Sequence, residues 1–122
     1  MILVDTSVWV DHLRTGNARL GAALDESLAL THPFVIGELA CGNLKNRSLV
    51  LENLRELPPA SPADDEEVFR LVEDRKLWGL GIGWVDAHLI AAARLTGCEL
   101  WTLDRRLSAA AAEAGVKVRD RR

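Results

Sequence analysis

A three-layer α/β fold, helices packed around a central parallel sheet, is what the pattern of this chain predicts. Two observations carry that expectation. The apolar runs Met1-Ile2-Leu3-Val4 and Cys98-Glu99-Leu100-Trp101-Thr102-Leu103 read as buried strands, and each stops on an aspartate, Asp5 or Asp104. The segments between and after them have helical periodicity, so the strands are joined through helical crossovers and run parallel.

Taken in order, Ser7 to Arg14 continues from the first strand as a helix, and Asn17 to Ser27 makes a second with Asn17 as its cap. Leu28 to Thr31 is a short strand. His32-Pro33 then starts a helix, because proline suits the first helical position, and the helix runs through Cys41 to Gly42-Asn43. Asn46 to Arg55 is helical, and Pro58-Pro59 with Pro62 marks a turn-rich loop. The acids Asp64 to Glu67 form a solvated first turn of a helix whose apolar face is Val68, Leu71, Val72 and Leu77. Gly79-Leu80-Gly81-Ile82-Gly83 lacks the Lys-Ser/Thr of a phosphate loop and reads as a flexible lead-in to the helix Trp84 to Thr96, which Gly97 ends. After the strand before Asp104 come a helix, Arg105 to Ala114, and a last short strand, Val116 to Arg119.

Length and composition narrow the functional classes. A chain of 122 residues with 48% hydrophobic content fits one domain, residues 1–122, with a core large enough to need no staples. Cys41 and Cys98 form no C-x-x-C pair and sit beside apolar residues, which predicts buried free thiols in a reducing compartment. No leader pattern and no apolar stretch of about 20 residues is present, so a cytoplasmic location is expected. The formal net charge of -3 gives no whole-molecule attraction for a polyanion. Binding to nucleic acid then has to come from local features, such as a bound cation or a small basic rim.

The carboxyl ends of parallel strands lie at one edge of the sheet, so Asp5 and Asp104 face the same crevice. Helices that follow such strands begin at that edge, which adds Asp86 in the first turn of its helix and Glu38 a little over one turn into its own. Capping accounts for either strand-ending aspartate alone, and a buried arginine partner would account for Glu38. Four acids in one crevice raise one another's pKa, a cost that a divalent cation removes. Mg²⁺ and Mn²⁺ prefer oxygen, take one or two carboxylates directly and leave positions for substrate phosphate, the arrangement of metal-assisted phosphodiester hydrolysis. Thr6 or Ser7 would add a hydroxyl near Asp5. His12, His32 and His88 lack metal-ligand spacing and read as structural, and the four tryptophans read as core or interface, with Trp78 and Trp84 flanking the glycine-rich segment.

MILVDTSVW, PFVIGELACG with Glu38, GIGWVDAHLIAAA with Asp86 and LWTLDRRL with Asp104 together resemble the PIN-domain ribonucleases of the VapC toxin type, in order and over essentially the whole chain. That resemblance implies a PIN fold, a Mg²⁺- or Mn²⁺-dependent endoribonuclease, a VapB-type antitoxin that blocks the active site, and a homodimer with its two acidic clefts close together. By it, Asp5, Glu38, Asp86 and Asp104 match the family's acidic quartet and Thr6 or Ser7 its hydroxyl position. Arg105 and Arg106, at the start of the helix beside the cleft, are candidates to hold an RNA phosphate or an antitoxin carboxylate. Two readings compete: a PIN-like module that binds RNA or protein without cleaving, and a receiver-like phosphotransfer domain. The first has no reason to retain four repelling acids, and the second lacks its strand-ending lysine.

Overall fold

The computed structural model describes residues 1–119; the basic run Arg119-Asp120-Arg121-Arg122 therefore lies mostly outside the described residues. Strand β1 (Ile2–Val4) is followed by α1 (Thr6–Thr15), α2 (Ala18–Asp25), β2 (Ala29–Leu30), α3 (Pro33–Ala40) and α4 (Arg47–Glu56). Helices α5 (Asp65–Asp74) and α6 (Trp84–Thr96), strand β3 (Glu99–Trp101) and α7 (Arg105–Glu113) complete the order.

The sheet is parallel throughout, in the order β2-β1-β3. Its middle strand is fully buried along Ile2, Leu3 and Val4, as its unbroken apolar sequence requires when both faces are covered. Register sets what lies beyond the strands: Val4 pairs with Trp101, and the Asp5 N–H continues the ladder to the Trp101 carbonyl at 2.9 Å. Asp5 and Thr102 thus leave the sheet side by side. Helices α6 and α7 pack on β3, α2 packs on β2, α1 packs on α2 and α3, and α5 packs on α6. The three-layer α/β/α architecture expected from the sequence is the one observed.

Local signals set the helix boundaries. Asn17 Oδ1 accepts the Leu20 N–H, His32 Nδ1 accepts the Phe34 N–H ahead of Pro33, and Asp64 and Glu67 form a reciprocal capping box. Gly97 closes α6 in the left-handed region at φ 73°, where a side chain would be strained.

Two expectations need correction. The last strand is reduced to one bridge, Leu100 to Val118, because Leu100 alone exchanges hydrogen bonds with Lys117 and Arg119 there. Cys41 is exposed, since it is the C-cap residue of α3 where the chain leaves the helix for solvent; Cys98 is half-buried, and burial pushes its thiol pKa up. The acid run is the solvated first turn of α5, as expected, and its exposed Asp65 also reaches the buried His88, Oδ1 to Nε2, at 3.1 Å. No described helix is long and apolar enough to cross a membrane.

Candidate active site

Asp5 is not a helix cap. It occupies the N-cap position of α1, yet its carboxylate takes no cap hydrogen bond. Instead Oδ2 accepts from the hydroxyls of Ser7 and Thr102, each at 2.7 Å, in a setting where Asp5 is only 6% exposed. Oδ1 takes part in neither bond. A nearly buried carboxylate with both hydroxyl donors on one oxygen is held in one orientation with the other oxygen left over.

Asp104 does cap its helix. Its Oδ1 accepts the N–H groups of Arg106 at 2.8 Å and Leu107 at 3.3 Å, leaving Oδ2 outside the cap. Its own N–H donates to Thr102 Oγ1 at 3.0 Å. Thr102, fully buried, therefore bonds to Asp5 on one side and to the Asp104 backbone on the other. Ser7 ties in as well: its Oγ lies 3.2 Å from Thr102 Oγ1 and accepts the Leu103 N–H at 3.0 Å. Of the two hydroxyls beside Asp5, Ser7 thus serves Asp5, while Thr6 donates to Glu38 Oε1 at 2.7 Å.

Glu38 is exposed, so pairing with a buried arginine does not explain it. Asp86 sits at the third position of α6 and accepts the Gly83 N–H through Oδ2 at 3.1 Å. Burial raises its carboxyl pKa above the ordinary range; the Gly83 N–H pulls it back, and the charges of Asp5, Asp104 and Glu38 push it further up. Asp86 therefore feels all three of the other predicted acids, which lie 81, 18 and 48 positions away in the chain.

The donor set suits a hard divalent cation. It is all oxygen, and each of the four carboxylates keeps one oxygen outside the hydrogen bonds just described. Among the described residues, no three His, Cys, Asp or Glu side chains form a ready-made metal cage.

Thr102 was not among the residues singled out from sequence. Its signal was a hydroxyl in an otherwise apolar strand end, two positions before the strand-ending aspartate. The second arginine of the basic pair is also partly committed. A Cβ on Gly81 would lie 2.7 Å from Arg106 Cδ, so the Arg106 stem rests on the glycine segment, where Gly81 has φ 80°. Arg105 is exposed at the first position of α7. The histidines are structural, as expected: burial and the neighbouring His88 hold His32 down to about 4, and His88 is buried against Asp65. Trp9 and Trp101 are core, with Arg19 and Arg119 guanidinium groups over the Trp101 ring, whereas Trp78 and Trp84 are exposed.

The PIN-domain family model matches residues 2–113. The curated protein Ribonuclease VapC32 of Mycobacterium tuberculosis, in strains CDC 1551 / Oshkosh and H37Rv alike, is 51% identical over 117 residues, spanning 95% of this chain and 94% of its own length. Among solved structures, the FitAcB crystal structure from Neisseria gonorrhoeae matches with TM-score 0.70 at 23% identity, over 98% of this chain and 97% of that one. PAE2754 from Pyrobaculum aerophilum matches with TM-score 0.62 at 19% identity, over 96% and 81%. The structural matches agree on the fold, the sequence match on a narrower kinship, and the chain belongs to the PIN-domain family among its VapC-type members.

Proposed function

We propose that this chain, one domain over residues 1–122, is a metal-dependent endoribonuclease and the toxin of a type II toxin–antitoxin module. The observation that supports it most is the convergence of acids on Asp86: its carboxyl pKa is raised first by burial and then by the charges of Asp5, Asp104 and Glu38, which come from the end of β1, the β3–α7 junction and α3. A fold with no chemistry to perform gains nothing from that repulsion.

In this proposal Asp5, Glu38, Asp86 and Asp104 would surround Mg²⁺ or Mn²⁺, one or two of them binding it through an uncommitted oxygen and the others through water of its shell. When bound, the ion supplies positive charge against the scissile phosphate and acidifies a water. The chain's own groups do the rest. Ser7 and Thr102 fix the Asp5 carboxylate, and Thr6 fixes Glu38. Asp86, with Oδ2 held by Gly83 and its carboxyl pKa raised above all by burial, would turn Oδ1 to a water of the ion's shell and receive the attacking water's proton there. The phosphodiester would open by in-line displacement, the water oxygen forming the new P–O bond as the P–O bond to the ribose breaks and the leaving oxygen takes a proton from solvent. Arg105 binds a phosphate flanking the cut.

The 51% identity to a protein named Ribonuclease VapC32 supports RNA as substrate and an antitoxin of VapB type as partner. A homodimer and a cytoplasmic location complete the proposal. The test is to incubate the antitoxin-free protein with total bacterial RNA, with Mg²⁺ or Mn²⁺ against EDTA and with Asp86→Asn as control, and to sequence new RNA ends. Discrete ends that need both metal and Asp86 are expected; no cleavage from folded protein under either metal overturns the proposal.

A further inference from the structure

The sheet edge opposite the acids, where the strands begin, carries a basic hollow. It measures about 500 Å³ and opens between the ends of α6 and α7 and the start of β3. Three exposed cations line it, each from a different part of the chain: Arg75 just past α5, Arg94 in the last turn of α6, and Lys117 after α7. Arg75 Nη1 and Arg94 Nη1 flank Gly115, each 3.7 Å from where a Cβ would stand, so the two guanidinium groups share one concavity. The acid in the lining, Glu99, is turned to Arg119, Oε2 to Nη1 at 3.9 Å.

Helix ends account for part of this cluster. Cations are favoured at helix C-termini, and Arg94 donates through Nη1 to the Ala114 carbonyl at the end of α7. That bond uses one of five guanidinium N–H groups and leaves the rest. Arg75 and Lys117 have no such use: among the described residues, their side chains meet no carboxylate and no carbonyl acceptor. Like charges gathered round one hollow repel, and an anion relieves them as a cation relieves the acids across the sheet. The donors suit phosphate, whose oxygens guanidinium groups bind through paired N–H bonds.

Exposure decides which phosphate. A free ion held by exposed side chains gains little against water and salt. A phosphate on a strand already engaged elsewhere arrives at high effective concentration, so weak contacts become useful. Cys98 in the hollow and Asp104 at the cleft are at most about 20 Å apart along the β3 run. With a net charge of -3 the molecule has no general pull on a polyanion, which leaves such local contacts to supply one.

We propose that the hollow of Arg75, Arg94 and Lys117 holds backbone phosphate of the RNA substrate at a point remote from the cut, so that RNA is engaged at both edges of the sheet. This rests on RNA as the substrate proposed above. It selects RNA long or folded enough to reach from cleft to hollow over a fragment that fills the cleft alone.

The test is binding of polyuridylate to the full-length chain in EDTA across a salt series, for the wild type and for Arg75→Gln with Lys117→Gln. The paired substitution should weaken binding at least about tenfold at low salt and flatten the slope of log affinity against log salt by about 1.4, two phosphate contacts of a single strand. Its melting temperature should match the wild type, because neither side chain holds the fold. Arg75→Lys with Lys117→Arg should keep the wild-type slope. Unchanged affinity and slope in the Gln pair overturn the proposal and leave the nuclease reading untouched. If the Gln pair loses binding of inorganic pyrophosphate but keeps that of RNA, the occupant is a small anion and the proposal falls. Cleavage is a separate readout: RNA binding that depends on these cations, in a chain that cuts nothing, would overturn the nuclease reading and keep the hollow.

Discussion

Thr102 donates its buried hydroxyl to Asp5 Oδ2 at 2.7 Å, joining a residue near the end of the chain to the one that closes its first strand. Thr102 Oγ1 also accepts the Asp104 N–H, so a single hydroxyl sets the spacing of two acids. Thr102→Val keeps shape and leaves Asp5 short of a donor and the Asp104 N–H unpaired, and should cost about 1–3 kcal/mol. Urea unfolding reads that cost. Cleavage should fall with it, and Thr102→Ser should recover both.

Asp86→Asn should abolish metal-dependent cleavage yet raise the melting temperature of the metal-free protein. Because the folded carboxyl titrates above the unfolded one, the ionised side chain opposes folding at neutral pH, and a neutral amide still accepts from Gly83. Thermal unfolding with and without Mg²⁺ checks both halves. The ion should stabilise the wild type by mass action and the variant far less. A wild type that Mg²⁺ does not stabilise speaks against the metal.

Asp104 combines a cap with a cleft acid, and two substitutions separate the roles. Asp104→Asn keeps an oxygen for the Arg106 and Leu107 N–H groups and should hold stability while cleavage is lost. Asp104→Ala should lose cleavage and about 1 kcal/mol of stability as well. Equal stability in the two variants would mean that the cap contributes nothing.

His32 should make the fold acid-sensitive. Its folded pKa of about 4 lies below the ordinary 6.5, so between those values the unfolded chain binds a proton that the folded one refuses. Stability contributed by the neutral ring is full above pH 6.5 and falls as pH drops toward 4. His32→Asn keeps a capping acceptor for the Phe34 N–H without a titrating ring. Melting curves across that range should flatten in the variant.

The strands and the two aspartates that end them are legible because their signals are local: an apolar run and the aspartate after it occupy adjacent positions, as do a cap and its helix. Pairings across long separations were not. Thr102 lies 97 residues from Asp5, and His88 lies 23 from Asp65, so neither partner is marked in the sequence around the other. Cys41 was misjudged for a related reason. Apolar neighbours in a helix report which turn a residue shares, not which side it faces, and Leu39 is buried while Cys41 emerges. The last strand failed because β-propensity carries no count of available partners, and only Leu100 was there to pair with it.

β1 is paired along both edges and sealed on both faces, and Asp5 continues its ladder. Segments of that kind release their amide protons only when a protein opens globally. Glu38 rides instead on α3, which packs chiefly on α1 and α4, and helices that rest on other helices open locally at less free energy than a central strand. Under heat or denaturant the cleft should therefore come apart from its helical side, and activity should vanish while the strand bearing Asp5 remains folded.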